Sequence, residues 1–178
     1  SLVVQSVFSS STVYDRFLEK FVLETDKVVI GDKKSEDTVM GPLIHENEAK
    51  RVEQKVNAAI AAGANLLTGG ERDGAFYRPT VLSDVALEAP IAQEEIFGPV
   101  VILFKIEDLE EAIEYANNVD YGLQAGIFTK DIEKAFTAIE GLEVGGVLVN
   151  DSSDYRVDAM PFGGIKGSGI GREGVRYA

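Results

Sequence analysis

The run Val100–Phe104, with the sequence VVILF, constrains the fold more than any other segment of the chain. A strand with one solvent face alternates apolar and polar side chains, whereas an unbroken apolar run suits a strand covered on both faces, as in a parallel sheet. Later segments predict helices over Glu107–Asn117 and Asp131–Glu140 and strands over Leu123–Thr129 and Val147–Val149. The chain is therefore predicted to be an α/β protein with three layers, in which helices cover both faces of a mostly parallel, twisted sheet.

The first half of the chain is predicted to add further elements to the same single domain, which we expect to span residues 1–178. Strands are predicted over Leu2–Phe8 and Ala64–Thr68, with a helix over Glu46–Ala62 between them. The segment Phe76–Leu82 is expected at a sheet edge, because Pro79 has no backbone N–H to donate. The side chains expected to face the core are Ala49, Val52, Val56 and Ile60 in the first helix and Ile132, Ala135, Phe136 and Ile139 in the last.

Charge and composition exclude several classes of function. The net charge is −13, from 30 acidic and 17 basic residues, which argues against a protein that binds the nucleic-acid backbone. The chain has no cysteine and one histidine, so we expect no disulfide, no cysteine nucleophile and no metal site. No apolar run approaches the roughly 18 residues of a membrane span, and no signal peptide is evident. We expect a soluble, cytoplasmic protein.

The segment Met160–Gly174 is rich in glycine, and three roles are open for it: phosphate binding, shaping of an active site, or a closing turn. It does not fit a dinucleotide fingerprint, which needs a helix and then an acidic residue about 20 positions later, and it lacks the P-loop pattern. Glycine here permits close approach of backbones. Because Val149 ends a strand and Asn150 follows it, we expect this segment at the carboxyl ends of the parallel strands, where ligands bind.

Six segments carry recognisable motifs in a fixed order along the chain: Tyr14–Phe17 (YDRF), Gly41–Ile44 (GPLI), Glu94–Val100 (EEIFGPV), Tyr121–Leu123 (YGL), Val149–Asn150 (VN) and Met160–Glu173 (MPFGGIKGSGIGRE). They resemble the motifs of the aldehyde dehydrogenase superfamily, and this resemblance covers essentially the whole chain. The stretch Asn150–Gly164 is most similar to enzymes that act on small hydroxyaldehydes, phosphorylated glyceraldehyde or semialdehydes.

The resemblance implies the catalytic domain of an enzyme that oxidises an aldehyde to a carboxylate with NAD or NADP through a cysteine thiohemiacetal. Glu95 matches the residue that hydrogen-bonds the nicotinamide ribose, and Phe97 matches an aromatic residue beside the nicotinamide. Phe162 matches an aromatic residue of the substrate tunnel. The resemblance also places Asn150, Tyr155 and Arg156 near the substrate, where Arg156 could bind a carboxylate or phosphate. Lys166 and Arg172 are expected to be structural, bonded to loop carbonyls or an acidic group.

The chain also departs from the family pattern. Ser1 falls near the position of the family's nucleophilic cysteine, and a serine hydroxyl has almost no nucleophilic anion without an added base. The family's cofactor-binding domain and oligomerisation extension have no counterpart in this sequence. We therefore expect a truncated fragment that binds no cofactor and is inactive alone, with an exposed apolar surface that permits a homo-oligomer. The alternatives are a non-catalytic scaffold or binding module that keeps the fold, and a glycine loop that binds a mononucleotide.

Overall fold

The structure is a computed structural model that describes residues 4–174 and residue 176. Its contacts divide the chain into two compact units. The first unit is Gln5–Ile106, and the second contains Val4 and the described residues from Glu107 onward. Each unit is an α/β arrangement with its own helices and strands.

The first unit is built around one four-stranded sheet. The elements, in chain order, are β1 (Ser6–Ser10), α1 (Tyr14–Asp26), α2 (Glu46–Ala61), β2 (Asn65–Thr68), β3 (Arg72–Asp73), β4 (Phe76–Tyr77), β5 (Thr80–Ser83), α3 (Pro90–Gln93) and β6 (Val100–Ile106). The sheet has the order β1-β6-β5-β2. Strand β6 pairs in parallel with β1 and β5, and β2 is antiparallel to β5. Strands β3 and β4 form a separate hairpin.

Strand β6 confirms the expectation from its unbroken apolar sequence, because it is a central strand covered on both faces. Ile102 and Phe104 join the hydrophobic cluster that contains Val52 and Val56 of α2. Leu103 joins the cluster on the other face, which contains Tyr14 of α1. Successive side chains of a strand point to opposite faces. The sheet of this unit is therefore the middle of three layers, with α1 on one side and α2 on the other.

Two details of the first unit correct the sequence prediction. The segment expected at a sheet edge is interior, since β5 lies between β6 and β2. Pro79 immediately precedes β5 and so takes no part in its ladder. In α2, Ala49, Val52 and Val56 are fully buried as expected, but Ala59 takes the fourth buried position and Ile60 is 36% exposed. The helix turns 100° per residue, so a shift of one residue moves a side chain to the rim of the buried stripe.

The second unit contains the remaining elements. They are α4 (Leu109–Asn117), β7 (Tyr121–Gly122), β8 (Gln124–Ile127), α5 (Ile132–Gly141), β9 (Gly146–Val149) and β10 (Ile165–Lys166). Strands β8 and β9 are parallel, and β7 and β10 are antiparallel. Both helices begin at an aspartate that caps the first turn: Asp108 accepts from the Glu111 N–H, and Asp131 accepts from the N–H groups of Glu133 and Lys134.

The second unit also differs from prediction in two ways. Strands β8 and β9 form a two-stranded sheet of their own and do not continue the sheet that holds β6. In α5, Ala135 and Ala138 are buried, whereas Ile132, Phe136 and Ile139 are 68%, 56% and 43% exposed. Its apolar stripe is wide, and the small side chains occupy the part that faces inward. The larger side chains lie on the exposed part of this stripe, and Phe128, which precedes α5 in the chain, is also 72% exposed.

Candidate functional site

The segment between α3 and β6 presents two of the residues singled out from the sequence. Glu95 is exposed, and its carboxylate has no hydrogen-bond or ion-pair partner within residues 4–174. Phe97 is 57% exposed and has a φ of +49°, in the left-handed region that non-glycine residues rarely adopt. Ile96 lies between them and is only 1% exposed. The segment therefore buries its middle side chain and leaves its two neighbours open to solvent.

The backbone of Ile96 is held from both sides by side chains that are distant in sequence. Its N–H donates to Oε1 of Gln5 at 2.9 Å, and its carbonyl accepts from Nη2 of Arg51 at 2.6 Å. Nε2 of Gln5 also donates to the carbonyl of Glu94 at 2.9 Å. Sequence reasoning missed both Gln5 and Arg51, because no motif or spacing links them to this segment.

The segment that contains Ile96 is also held by side-chain packing at Gly98 and by an ion pair at Glu94. Gly98 has no room for a side chain, since a Cβ atom there would lie 2.7 Å from Cγ2 of the buried Val52. The carboxylate of Glu94 forms an ion pair with the ammonium of Lys55 on α2. The hydrogen bond and charge of Lys55 hold the pKa of Glu94 below its usual value. The Glu94 carboxylate is thus paired with a cation of the protein, whereas the Glu95 carboxylate has no partner among the described residues.

In the second unit, Arg156 and Phe162 are in direct contact. The guanidinium carbon of Arg156 lies 4.3 Å from the centroid of the Phe162 ring, a cation–π arrangement. Nη2 of Arg156 also forms an ion pair with the Glu173 carboxylate. Glu173 is placed by a two-residue bridge, in which Phe162 and Glu173 exchange backbone hydrogen bonds at 3.3 and 2.6 Å. One cation is therefore held between an aromatic face and a carboxylate.

Asn150 and Tyr155 have structural contacts. Asn150 has a φ of +59°, and its Oδ1 accepts from the Thr129 N–H at 2.9 Å, which joins the carboxyl ends of β8 and β9. Tyr155 is 48% exposed, and its carbonyl accepts from Nε2 of Gln124 at 3.4 Å. The Asn150 side chain therefore bonds to the backbone of the loop that follows β8.

The glycine-rich segment does not lie at the carboxyl ends of β8 and β9, which corrects the expectation from topology. After Asn150 the chain runs back along β8, and Nε2 of Gln124, at the start of β8, donates to the Ser153 carbonyl at 2.6 Å. Further on, the carbonyl of Gly163 meets Gly145, just before β9, too closely for any side chain there. Ten extended residues can span about 33 Å, which is ample to return along a strand of four residues.

The two basic residues of this segment confirm the structural role expected of them. Nζ of Lys166 donates to the carbonyl of Asn117 at 2.8 Å and pairs with Glu143. Nη1 of Arg172 donates to the carbonyls of Gly164 and Gly171, both at 2.9 Å. The close glycine contacts and these bonds describe a tightly packed closing loop.

Ser1, which the sequence placed near the family's nucleophile, lies outside the described residues. Within the described part of the chain, no group of three or more His, Cys, Asp or Glu side chains could hold a metal ion. Also within it, every helix is too short or too polar to cross a membrane.

Known proteins share the sequence and fold of this chain. Aldehyde dehydrogenase 21 from Physcomitrella patens, solved in complex with the reaction product succinate, is 52% identical and superposes with a TM-score of 0.97 over 99% of this chain and 37% of its own. A glyceraldehyde-3-phosphate dehydrogenase from Methanocaldococcus jannaschii, complexed with NADP, is 43% identical with a TM-score of 0.95 over 99% of this chain and 38% of its own. The 3-sulfolactaldehyde dehydrogenase of Priestia aryabhattai is 45% identical over 98% of this chain and 37% of its own length.

These relatives are longer proteins, and the chain spans between 34% and 38% of the length of the curated relatives it matches. The match nevertheless extends over nearly all of this chain. Residues 2–178 match the aldehyde dehydrogenase family. The chain therefore belongs to the aldehyde dehydrogenase family.

Proposed function

We propose that the protein containing this chain oxidises an aldehyde to a carboxylate, with NAD⁺ or NADP⁺ as the oxidant and water as the source of the added oxygen. Family membership over residues 2–178 supports the reaction class. The observation that carries the assignment of residues is the pair Glu95 and Phe97, both exposed on either side of the buried Ile96. The complex of a relative with NADP supports the type of cofactor.

The side chains of this segment fit the nicotinamide end of such a cofactor. Among the described residues nothing bonds to the two oxygens of the Glu95 carboxylate, which can accept hydrogen bonds from both hydroxyls of a ribose. The exposed ring of Phe97 offers an apolar surface next to it. When bound, NAD(P)⁺ supplies the acceptor for the hydride that leaves the aldehyde carbon. Glu95 and Phe97 then restrict the orientation of the ribose and the adjoining ring, which is how an enzyme lowers the entropic cost of the transfer.

We propose further that the substrate is a small aldehyde with an anionic group at its far end, bound by Arg156 with Phe162, Tyr155 and Asn150 nearby in the sequence. Arginine binds carboxylate, phosphate and sulfonate oxygens through parallel N–H donors. The Arg156 guanidinium already engages one carboxylate, that of Glu173. The names of three relatives mention 3-sulfolactaldehyde, glyceraldehyde-3-phosphate and the product succinate, which are all anionic.

The exposed face of α5 supports a proposal about assembly. Phe128, Ile132, Phe136 and Ile139 are each more than two-fifths exposed and lie within a stretch of 12 residues. Clusters of large exposed apolar side chains mark interaction sites more often than solvated surface. We propose that this face contributes to contact between copies of the protein.

The proposed function is tested in the protein at its full natural length, by following the absorbance of reduced nicotinamide with succinic semialdehyde, glyceraldehyde-3-phosphate and 3-sulfolactaldehyde. We expect turnover with at least one of them. Glu95→Gln should weaken binding of the cofactor about tenfold, since a hydrogen bond to a charged group contributes roughly 1.5 to 3 kcal/mol. The matched control is Glu88→Gln, because Glu88 is also exposed and also precedes β6. We expect residues 1–178 alone to be inactive, because this chain has no cysteine. Absence of both cofactor binding and turnover in the full-length protein would instead favour a non-catalytic scaffold.

A further inference from the structure

Ile96 is unusual in that both of its backbone polar groups are bonded to side chains instead of other backbone groups. Its N–H donates to Oε1 of Gln5 at 2.9 Å, and its carbonyl accepts from Nη2 of Arg51 at 2.6 Å. Gln5 lies 91 residues away in the sequence and Arg51 lies 45 residues away. Most protein hydrogen bonds of the backbone are made within the backbone. Two side chains that are distant in sequence therefore satisfy the N–H and carbonyl of Ile96, which in a sheet or helix would be paired with other backbone groups.

The carboxamide of Gln5 uses both of its ends on the same segment. Besides accepting from Ile96, it donates through Nε2 to the carbonyl of Glu94 at 2.9 Å. The backbone of Gln5 is fixed in turn, because its carbonyl accepts from the N–H of Ile102 in β6 at 2.8 Å. Glu95 lies between the two backbone groups that Gln5 contacts. The backbone of Glu95 is thus fixed by Gln5, which is itself bonded to the central strand β6. The Glu95 carboxylate makes no bond within residues 4–174.

The conformation of Phe97 depends on the same support. Its φ of +49° lies in a region that is unfavourable for a residue with a side chain. Such a conformation persists when the surrounding structure fixes the backbone on both sides. On one side of Phe97, the backbone of Ile96 is fixed by its hydrogen bonds to Gln5 and Arg51. On the other side, the backbone of Gly98 is fixed by close packing against Val52.

We infer that Gln5 is a positioning residue for cofactor binding, which fixes the backbone between Glu94 and Ile96 so that Glu95 and Phe97 meet the nicotinamide riboside. This inference rests on the proposed function, in which these two residues contact the cofactor. Gln5 does not touch the cofactor in this scheme. It acts on the position of Glu95, and Arg51 supports the same segment from α2.

The test measures affinity for NAD⁺, NADP⁺ and AMP by calorimetry in the full-length protein. AMP has no nicotinamide riboside, so it reports on the fold and on the rest of the cofactor site. Gln5→Leu removes the hydrogen bonds to Ile96 and Glu94 together with a longer one to the Ile91 carbonyl, and Gln5→Glu keeps an acceptor for Ile96 while removing the donor to Glu94. Gln93→Leu is the matched control, because Nε2 of Gln93 donates to the Leu87 carbonyl at 2.7 Å, in a contact that does not involve Ile96. Each variant is also combined with Glu95→Gln.

We expect Gln5→Leu to weaken binding of the preferred dinucleotide about tenfold, the loss expected when the charged hydrogen bonds of Glu95 to the ribose are misaligned, and Gln5→Glu to weaken it less. AMP affinity should not change, nor should Gln93→Leu have an effect. In the Glu95→Gln background Gln5→Leu should add little, because the residue it positions is already altered.

The outcomes separate the inference from the function on which it rests. If Glu95→Gln weakens the dinucleotide but Gln5→Leu and Gln5→Glu do not, the positioning role is wrong and the proposed function stands. Equal weakening of AMP and dinucleotide in both Gln5 variants would show a general structural role and would also reject it. If Glu95→Gln has no effect on dinucleotide binding, the proposed function fails and the inference fails with it. Should Gln5→Leu not fold, Gln5→Glu decides the question alone.

Discussion

Arg156 lies over the face of Phe162, with 4.3 Å between its guanidinium carbon and the ring centroid, while Glu173 holds its Nη2 from the side. A lysine would keep the charge but would lose the planar stack and the fork of parallel donors. We therefore expect Arg156→Lys to raise KM for succinic semialdehyde about tenfold, since hydrogen bonds to charged groups contribute roughly 1.5 to 3 kcal/mol. Steady-state kinetics of the full-length protein measures this.

Butyraldehyde is the matched substrate for this prediction, because it has the same chain length and no charge. Its KM should be unchanged in Arg156→Lys. Arg78→Lys is the control variant, since Arg78 is an exposed arginine that pairs with Glu71 in the first unit. Equal changes of KM for the charged and the uncharged aldehyde would show that Arg156 does not bind the carboxylate of the substrate.

Glu173 should have the opposite effect to Arg156 on the same substrate. Its carboxylate occupies a donor of the guanidinium that an anionic substrate would need. Glu173→Gln removes the competing charge, so we expect a several-fold lower KM for succinic semialdehyde and no change for butyraldehyde. An increase in KM for succinic semialdehyde would mean that Glu173 serves to hold Arg156 in place and does not compete with the substrate.

Gly98 is constrained by the close approach of Val52, which is fully buried. A Cβ atom at position 98 would lie 2.7 Å from Cγ2 of Val52 and 3.2 Å from its Cγ1. We expect Gly98→Ala to lower the free energy of unfolding by about 1 to 3 kcal/mol, the usual cost of an overpacked core. Urea denaturation followed by circular dichroism measures it.

Two controls make the Gly98 prediction specific. Gly41→Ala should change stability little, because a Cβ there would have no atom within 4 Å and the backbone is not left-handed. The double variant Gly98→Ala with Val52→Ala should lose less stability than the sum of the two single variants, since removing the Val52 methyl groups makes room. A strictly additive double variant would show that the cost at Gly98 has another origin.

The parts of the fold that were predictable are those where local sequence and burial agree. Val100–Phe104 has no polar residue, a pattern typical of a strand covered on both faces. The stripe Ala49, Val52 and Val56 likewise fixed the buried face of α2. In α5 the apolar stripe is wider than the contact it makes, so spacing alone could not say whether Ala138 or Phe136 faces inward.

The sequence was sufficient to single out the exposed residues of the candidate site. It was not sufficient to identify the side chains that fix their backbone. Glu95 and Phe97 lie in a motif that can be recognised along the chain. Gln5 contacts Ile96 across 91 residues, and no local pattern encodes a bond between a side chain and a remote backbone group. The return of the chain along β8 after Asn150 was missed for the same reason, because it depends on the Gln124 side chain and on close glycine contacts.

Phe136 is 56% exposed, so a charged residue there should leave the fold intact and act on association between copies. We expect Phe136→Glu to raise the dissociation constant of a homo-oligomer at least about thirtyfold, as for an aromatic hot spot worth roughly 2 kcal/mol. Sedimentation velocity over a range of concentrations measures this. Thr137→Glu adds the same charge about 100° around α5 from Phe136, away from the stripe of Ile132, Phe136 and Ile139, and should have no effect. Oligomers of unchanged stability in Phe136→Glu would exclude this face as the contact.

Tyr77 is 2% exposed, and its hydroxyl has no hydrogen-bond partner among the described residues. Burial raises the pKa of Tyr77 to about 12, an increase that the nearby Thr80 side chain, which makes no hydrogen bond of normal geometry to the hydroxyl, offsets only in part. The unfolded chain loses this proton near pH 10, so between pH 10 and 12 the folded state binds more protons and stability falls as pH rises, by at most about 1.4 kcal/mol per pH unit. Tyr77→Phe removes both the unpaired hydroxyl and this titration. We expect it to unfold at an equal or higher urea concentration at pH 7, and its advantage over the original protein to grow between pH 10 and 11.5. An advantage that stays constant with pH would mean that Tyr77 ionises equally in the folded and unfolded chain, and a clear loss of stability at pH 7 would mean that the hydroxyl has a partner.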